Sequence, residues 1–291
     1  MIYSILGTSG FQVSRIGLGC SHLTAEKASL DLLSNAIDLG INFFDTADSY
    51  GQGDSERTLG RFLRTARDRV YVCTKIGYST STFSAALGKA KALLGKGGKP
   101  QHFHPAYLQK ATESSLKRLQ VESIDLLMLH SPPVEAAESA EVLNCLESLR
   151  SRGYVKALGV SCRSLQDAAR LIALNRFDAI ECEINLLSTN LVRRYLNDLG
   201  SSGTGVVARQ PFASGKLFQH RKELEPFCTP PVRTLEQMMI QYVLSQPGVS
   251  TVLVGTRNLS HLRENVAALD QPSLTDIEWT QVEKAMNGAS E

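Results

Sequence analysis

Residues 40–51 read GINFFDTADSYG, in which a short apolar run ends in two acids and a tyrosine. The run is rich in aromatic residues and does not alternate strictly between apolar and polar, which is typical of a strand that is buried on both faces. Asp45, Asp48 and Tyr50 then follow within six residues. They could end the strand as a simple turn, form an acidic metal-binding loop, or supply half of a catalytic site.

Short runs of the same kind recur along the chain and alternate with amphipathic stretches. Helical spacing of apolar residues predicts a helix over 25–39, and Ser164-x-x-Asp167 and Thr234-x-x-Gln237 resemble capping boxes that begin further helices. The order predicts an α/β fold, a closed (β/α)8 TIM barrel, with a doubly wound open sheet as the alternative. Strands are predicted near 15–19, 41–45, 70–75, 124–129, 155–160, 178–182, 204–208 and 250–254.

The N-terminus predicts a β-hairpin, in which YSIL and FQVS flank the turn Gly7-Thr8-Ser9-Gly10. No internal repeat or composition break marks a linker, so residues 1–291 are expected to form a single barrel domain. Two long stretches, 77–106 and 210–232, interrupt the alternation. Long loops of this kind more often line an active site than act as spacers.

Composition excludes several classes of function. The net charge is +2 with acids and bases interspersed, so no basic stripe indicates a nucleic-acid partner. No run of 18 apolar residues predicts a membrane span. The N-terminus has no basic leader before an apolar core, and the six cysteines form no C-x-x-C pair, so we expect reduced thiols and a cytoplasmic protein. Oligomeric state is not determined by these patterns.

Several common motifs fail. Gly17-Leu18-Gly19-Cys20-Ser21-His22 begins like a dinucleotide fingerprint but ends in histidine, and no G-x-S-x-G occurs for a hydrolase. His102-Phe103-His104 has no acid or cysteine at ligand spacing, so it is more typical of a solvated loop than of a metal site. No metal is therefore predicted, and a metal-dependent barrel hydrolase lacks the His and Asp clusters that it requires.

Polar groups close nearly every predicted strand. The carboxyl ends of barrel strands face one shared mouth, so these groups are expected to converge there. Tyr50 lies one short loop beyond Asp45. In chain order the strand ends carry Asp45, Lys75, His130, Ser161, Glu181 and Arg209, with Gly255 and Thr256 after the last strand.

Four of these groups suit proton transfer to a carbonyl. A phenol titrates near pH 10, and a nearby ammonium lowers that pKa, so Lys75 is expected to lower the pKa of Tyr50. Asp45 keeps Lys75 charged and in place, and His130 can orient a carbonyl oxygen by a hydrogen bond. Such a set protonates that oxygen while a hydride arrives at carbon. It holds no nucleophile with an adjacent base, so acyl transfer is not its chemistry.

The chain resembles the aldo-keto reductases over almost its whole length. The matching stretches, in order, are LGTSGFQVSRIGLG, GINFFDTADSYGQGDSERTLGRFL, VCTKIG, SLKRLQVESIDLLMLHSPP, RGYVKALGVS, GVVARQPFASGKL and TVLVGTRNLSHLRENVAAL. The resemblance implies a (β/α)8 barrel that binds NADPH, less often NADH, in extended form. It also implies reduction of aldehydes and ketones, or oxidation of alcohols and sugars.

Position by position, the resemblance implies a catalytic tetrad of Asp45, Tyr50, Lys75 and His130. Tyr50 would be the general acid in reduction and the base in oxidation, Lys75 and Asp45 would tune it, and His130 would orient the substrate. Asp48 has no implied partner and is interpreted as a turn residue.

The implied cofactor positions depart from the family pattern at three places. Ser161 matches the nicotinamide clamp, but Cys162 and Glu181 stand where the family usually has Asn and Gln. Arg209 replaces the aromatic that often stacks on nicotinamide, and an ionised Glu181 accepts hydrogen bonds but donates none. Further contacts are implied at Gly19, Gln210, Phe212, Ser214, Leu217, Gly255, Thr256, Arg257, His261, Glu264 and Asn265, with Arg257 at a helix start that suits the 2′-phosphate of NADPH.

The sequence thus predicts an NAD(P)H-dependent oxidoreductase that reduces an aldehyde or ketone, or oxidises a sugar-like alcohol or lactol. The alternative is a cofactor-binding regulatory subunit with little or no turnover, since some members of the family serve chiefly as binding partners. The many Ser, Lys and His residues of the long loops favour a polar small-molecule substrate such as a sugar.

Overall fold

A computed structural model describes residues 1–79, 100–228 and 233–288. Within these ranges the chain forms ten strands, of which the last eight build the barrel. They are β1 (Tyr3–Ile5), β2 (Gln12–Ser14), β3 (Ile16–Gly19), β4 (Phe43–Asp45), β5 (Tyr71–Ile76), β6 (Ile124–His130), β7 (Val155–Ser161), β8 (Ala179–Glu183), β9 (Gly205–Arg209) and β10 (Val249–Val254).

The barrel is closed and parallel, as predicted. Each strand from β3 to β9 pairs with the next, and β10 pairs with both β9 and β3. The open-sheet alternative is wrong because this last pairing leaves no edge strand in the barrel. All eight predicted strands overlap the observed ones, with shifts of one or two residues at their ends. That the whole chain is a single domain stays a prediction.

Helices follow the strands and cover the outside of the barrel. The predicted caps are present: the Ser164 hydroxyl accepts from the Asp167 backbone N–H, and Thr234 and Gln237 form a reciprocal capping box. The described helices are α1 (Lys27–Asp38), α2 (Asp54–Ala66), α3 (Pro105–Leu119), α4 (Val134–Glu138), α5 (Ala140–Ser151), α6 (Leu165–Ile172), α7 (Thr189–Ser201), α8 (Arg221–Leu224), α9 (Leu235–Ser245), α10 (Leu259–Val266) and α11 (Asp276–Gly288).

The core has two layers, because the strands bury both faces. Outward-facing residues such as Phe44, Leu127 and Leu158 pack with the apolar stripes of the helices. Inward-facing residues such as Phe43 and Leu126 fill the barrel itself. The barrel interior is therefore a packed core, as expected for this fold.

The predicted hairpin covers the N-terminal end of the barrel. β1 and β2 pair antiparallel, and a 3₁₀ turn at Gly7–Ser9 joins them. Gly7 has a φ of +51° and lies so close to Gly205 that a Cβ there would be 2.1 Å from the Gly205 nitrogen. Only glycine permits this approach, so the turn of the hairpin packs tightly against the start of β9.

The two long loops are described only in part. Residues 80–99 of the first, including Phe83, and 229–232 of the second lie outside the described residues. In the first, Tyr78 and Gln101 form an antiparallel bridge. The second contains the 3₁₀ segment Ala213–His220 followed by α8. Among the described residues, no helix is both long and apolar enough to cross a membrane.

Candidate active site

A cleft of about 420 Å³ lies at the carboxyl ends of the barrel strands. Its floor consists of strand ends, and one wall is the loop after β9. It is lined by Gly19, Ser21, His22, Asp45, Tyr50, Glu181, Arg209, Gln210, Pro211, Phe212, Ser214, Gly215, Phe218, Leu253 and Gly255. The predicted convergence of polar strand ends thus occurs at this mouth.

Lys75 and Asp45 form a buried ion pair on the neighbouring strands β5 and β4. The Lys75 ammonium donates to both carboxylate oxygens of Asp45 at 2.6 Å, and to the Thr46 carbonyl at 3.1 Å. The Lys75 side chain is fully buried and Asp45 is nearly so. Because an ammonium has three donors, this geometry uses all of them.

Glu181, on β8 across the barrel, is a second carboxylate beside the same lysine. Its Oε2 lies 3.2 Å from Lys75 Nζ, and its Oε1 accepts from the Ser161 hydroxyl at 3.0 Å. Arg209 approaches from the cleft side, with Nε 3.6 Å from Glu181 Oε1 and Nη2 donating to the Cys162 carbonyl at 3.2 Å. The three departures from the family pattern are therefore in direct contact with one another.

The loop after β4 carries Tyr50 to the buried pair. The Asp48 backbone N–H donates to the Lys75 carbonyl at 3.0 Å, which ties this loop to β5. Asp48 is 1% exposed, so its interpretation as a simple turn residue is incomplete. Lys75 Nζ lies 5.2 Å from the centroid of the Tyr50 ring.

The expected fall in the pKa of Tyr50 is wrong. The Lys75 ammonium does lower that pKa, but burial and the carboxylates of Asp45 and Glu181 outweigh it and raise the pKa of Tyr50 to about 12. Sequence reasoning placed one carboxylate beside the lysine, whereas the site holds two. Tyr50 is therefore a phenol over the whole neutral and mildly alkaline range.

The presence of two carboxylates beside one ammonium also affects the Lys75–Asp45 ion pair. Burial raises the pKa of the Asp45 carboxyl in spite of Lys75, and Glu181 raises it further. For Lys75, desolvation lowers the pKa, but the two carboxylates outweigh it and hold the pKa well above its usual value. Lys75 is therefore an ammonium, and its charge is shared between two carboxylates.

His130 stands at the end of β6 on the other side of Tyr50. Its ring contacts that of Tyr50 edge-on, with centroids 5.8 Å apart, and that of Tyr78 at 4.7 Å. The Gln101 amide donates to the His130 carbonyl at 2.9 Å and fixes the end of the strand. The four residues of the predicted tetrad thus lie together.

Comparison with known proteins identifies the family of the chain. The model of the Aldo/keto reductase family matches residues 15–287. The chain belongs to this family. Among curated relatives, an uncharacterized oxidoreductase, YqkF of Bacillus subtilis, is 28% identical over 94% of this chain and 92% of its own length. L-galactose dehydrogenase of Arabidopsis thaliana is 27% identical over the same shares of the two chains.

The fold of the chain is also similar to that of solved aldo-keto reductases. The holo form of the aldo-keto reductase AKR11C1 from Bacillus halodurans superposes with a TM-score of 0.85 at 26% identity, and the match covers 98% of this chain and 96% of that one. This aldo/keto reductase family chain is thus an oxidoreductase by family and a TIM barrel by structure.

The residues implied to bind cofactor fall into three groups. Gly19, Glu181, Arg209, Gln210, Phe212, Ser214 and Gly255 line the main cleft, and Thr256 and Arg257 line an adjoining smaller pocket with Gly19. Ser161, Cys162, Leu217 and Asn265 are buried. His261 and Glu264 are exposed on α10.

Two features of this chain fit a nicotinamide cofactor. Glu181 Oε2 is buried, and no described group donates a hydrogen bond to it, so an amide N–H₂ group would satisfy it. In addition, α10 begins at Leu259, two residues after Arg257, and the Asn258 side chain between them caps it by accepting from the Ser260 N–H at 2.8 Å. Arg257 therefore stands at the positive end of a helix, where a phosphate is stabilised.

Sequence reasoning missed several residues of the cleft. Ser21 and His22 follow β3 and line the cleft, whereas in the sequence they stand out only as the end of an incomplete dinucleotide motif. Their position after the first barrel strand was a usable signal. Tyr78 lies in the first long loop, and its contact with His130 is visible only in the three-dimensional structure.

The His-x-His motif has a structural role at one of its residues. His104 caps α3, since its Nδ1 accepts from the Ala106 N–H at 3.3 Å. Within the described ranges, no three His, Cys, Asp or Glu side chains are grouped as a metal site.

Proposed function

We propose that this protein is an NADPH-dependent oxidoreductase that reduces an aldehyde or ketone, and in reverse oxidises a sugar-like alcohol or lactol. The observation that carries the proposal is the placement of the Tyr50 phenol in the cleft, between the Lys75–Asp45 pair and the His130 ring. The 27% identity to an L-galactose dehydrogenase over nearly the whole chain supports the sugar-like substrate.

Tyr50 is the proton donor in this proposal. In reduction, the carbonyl carbon accepts a hydride and its oxygen accepts the proton of the Tyr50 hydroxyl, so the products are an alcohol and a tyrosinate. The nicotinamide cofactor supplies the hydride when it is bound. Lys75 stabilises the tyrosinate that forms, because an ammonium beside a phenolate lowers its energy. Oxidation of an alcohol runs through the same groups in the opposite order.

His130 and the cofactor residues position the reactants. A ring N–H of His130 would donate to the carbonyl oxygen and orient it toward the Tyr50 hydroxyl. Ser161 and Glu181 would hold the nicotinamide amide, and the Arg209 guanidinium would pack beside the ring. Arg257 would pair with the 2′-phosphate, which is the group that distinguishes NADPH from NADH.

A cofactor-oxidation screen tests the proposal. The protein is mixed with NADPH and, in separate wells, with aldehydes, ketones and aldoses, while NADP⁺ is paired with alcohols and lactols. We expect turnover with at least one polar carbonyl or lactol. Tight binding of NADPH without turnover of any substrate would contradict the proposal and would favour the regulatory-subunit alternative.

A further inference from the structure

The second carboxylate on Lys75 sets this site apart. All three ammonium protons go to Asp45 and to the Thr46 carbonyl, yet Glu181 Oε2 lies only 3.2 Å from the same nitrogen. The contact between Lys75 and Glu181 is therefore electrostatic rather than a hydrogen bond. Glu181 is 2% exposed, so water does not screen this contact.

The charged and titratable groups around Tyr50 and Lys75 come from five strands and one loop. Lys75 and Cys73 belong to β5, Asp45 to β4, His130 to β6, Glu181 to β8 and Arg209 to β9, and Tyr78 lies on the loop after β5. Two buried carboxylates thus face one buried ammonium. Arg209 offsets the excess only partly, because its side chain is 22% exposed and its Nε lies 3.6 Å from Glu181.

We propose that Glu181 is a positioning residue for proton transfer: as the second carboxylate on Lys75, it keeps Tyr50 in the phenol form that donates the proton. The inference rests on the proposed function, because it assigns Tyr50 the role of proton donor. Glu181 acts through charge, so its effect differs from that of a neutral amide of the same shape, the residue type that the family usually has at this position.

The direction in which Glu181 shifts the pKa of Tyr50 follows from electrostatics. Negative charge near a phenol disfavours the phenolate, and Glu181 is one of the groups that raise the pKa of Tyr50 to about 12. With this carboxylate present, reduction keeps its proton donor far into the alkaline range. Without it, Lys75 acts on Tyr50 against Asp45 alone, and Tyr50 loses its proton at a lower pH.

The test compares Glu181→Gln with Glu183→Gln. Glutamine keeps the shape of residue 181 and still accepts from Ser161, but it removes the charge. Glu183 lies two residues further along β8, is 43% exposed and faces Arg209 at 3.7 Å, so its variant removes the same charge away from Lys75. The pH dependence of kcat/KM for carbonyl reduction is measured for the parent and both variants.

On the alkaline side of the profile, we expect kcat/KM of Glu181→Gln to fall at a pH about one unit lower than in the parent. In Glu183→Gln it should fall at the same pH as in the parent. A second readout needs no turnover: near-ultraviolet absorbance of phenolate, taken as the difference from Tyr50→Phe, should show Tyr50 ionising at lower pH in Glu181→Gln. A fall at the same pH in the parent and in Glu181→Gln, or equal shifts in both variants, would overturn the inference. Retained turnover in Tyr50→Phe would instead overturn the proposed function.

Discussion

The two ends of the barrel carry depressions of similar size but different character. The cleft at the carboxyl ends of the strands holds about 420 Å³, and a depression at the amino ends, lined by Asn42, Arg67, Asp68, Arg69, Val70, Tyr71, Asp125 and Lys156, holds about 410 Å³. Each centres on a buried carboxylate that is paired with basic side chains. Volume therefore does not distinguish the functional end from the other.

Hydrogen-bond satisfaction does distinguish them. At the amino end, Asp125 accepts from Arg67 at 2.9 Å, from Lys156 at 2.7 Å and from the Val72 N–H at 2.9 Å. Its two basic partners are partly exposed, with side-chain exposures of 28% and 50%. This network joins three strands and leaves no oxygen of Asp125 without a donor, as expected for a stabilising element.

The carboxyl end is arranged differently. Lys75 is fully buried between two carboxylates, and Glu181 Oε2 receives no hydrogen bond from a described group. Burial there shifts the pKa of Asp45 and of Tyr50 upward. Unbalanced charge and an unsatisfied buried oxygen are costly for stability alone, and such groups cluster at functional sites. The comparison therefore supports the carboxyl end as the place of the proposed chemistry.

The largest effect is expected from Lys75→Met, with Lys156→Met as its counterpart at the amino end. Removal of Lys75 leaves two buried carboxylates without their cation, so we expect a loss of about 3–5 kcal/mol in the free energy of unfolding and no measurable turnover. Lys156→Met leaves Asp125 its bonds to Arg67 and Val72, and should cost no more than about 1 kcal/mol. Urea unfolding and steady-state rates measure both. Equal losses in the free energy of unfolding for the two variants would contradict the distinction drawn between the two ends of the barrel.

A smaller effect is expected from Arg257→Ala, with Arg69→Ala as the control. Both arginines are exposed and line depressions, but only Arg257 lies at a helix start on the cleft side. We expect the parent to bind NADPH more tightly than NADH, and Arg257→Ala to reduce that preference by about tenfold, or ~1.4 kcal/mol. Fluorescence titration gives the dissociation constants. An unchanged ratio in Arg257→Ala, or an equal loss in Arg69→Ala, would exclude Arg257 as the phosphate ligand.

Much of the fold was predictable, because each barrel strand is a short apolar run, and nearly all of these runs have a polar residue at or close to their carboxyl end. The same pattern placed Asp45, Lys75 and His130 at strand ends, and Tyr50 on the loop that follows. The contact of Tyr78 with His130 was not predictable in this way. It depends on the path of a long loop, and loop paths follow from tertiary packing rather than from local periodicity.

The electrostatics of the site were predictable only in part. Sequence alone indicated that Lys75 would pair with Asp45, but not that Glu181 reaches the same nitrogen from across the barrel. That contact depends on how far apart β5 and β8 lie once the barrel closes. The direction of the pKa shift of Tyr50 depends on this distance, and the sequence-based expectation was therefore wrong in sign.

The most direct test of the central claim is the steady-state rate of Tyr50→Phe beside that of Tyr71→Phe. Each variant removes one phenolic hydroxyl, Tyr50 from the cleft and Tyr71 from the depression at the opposite end. We predict that Tyr50→Phe lowers kcat by about 10²–10⁴-fold with its NADPH dissociation constant unchanged, whereas Tyr71→Phe keeps the parental rate. A Tyr50→Phe enzyme that turns over at the parental rate would contradict the account.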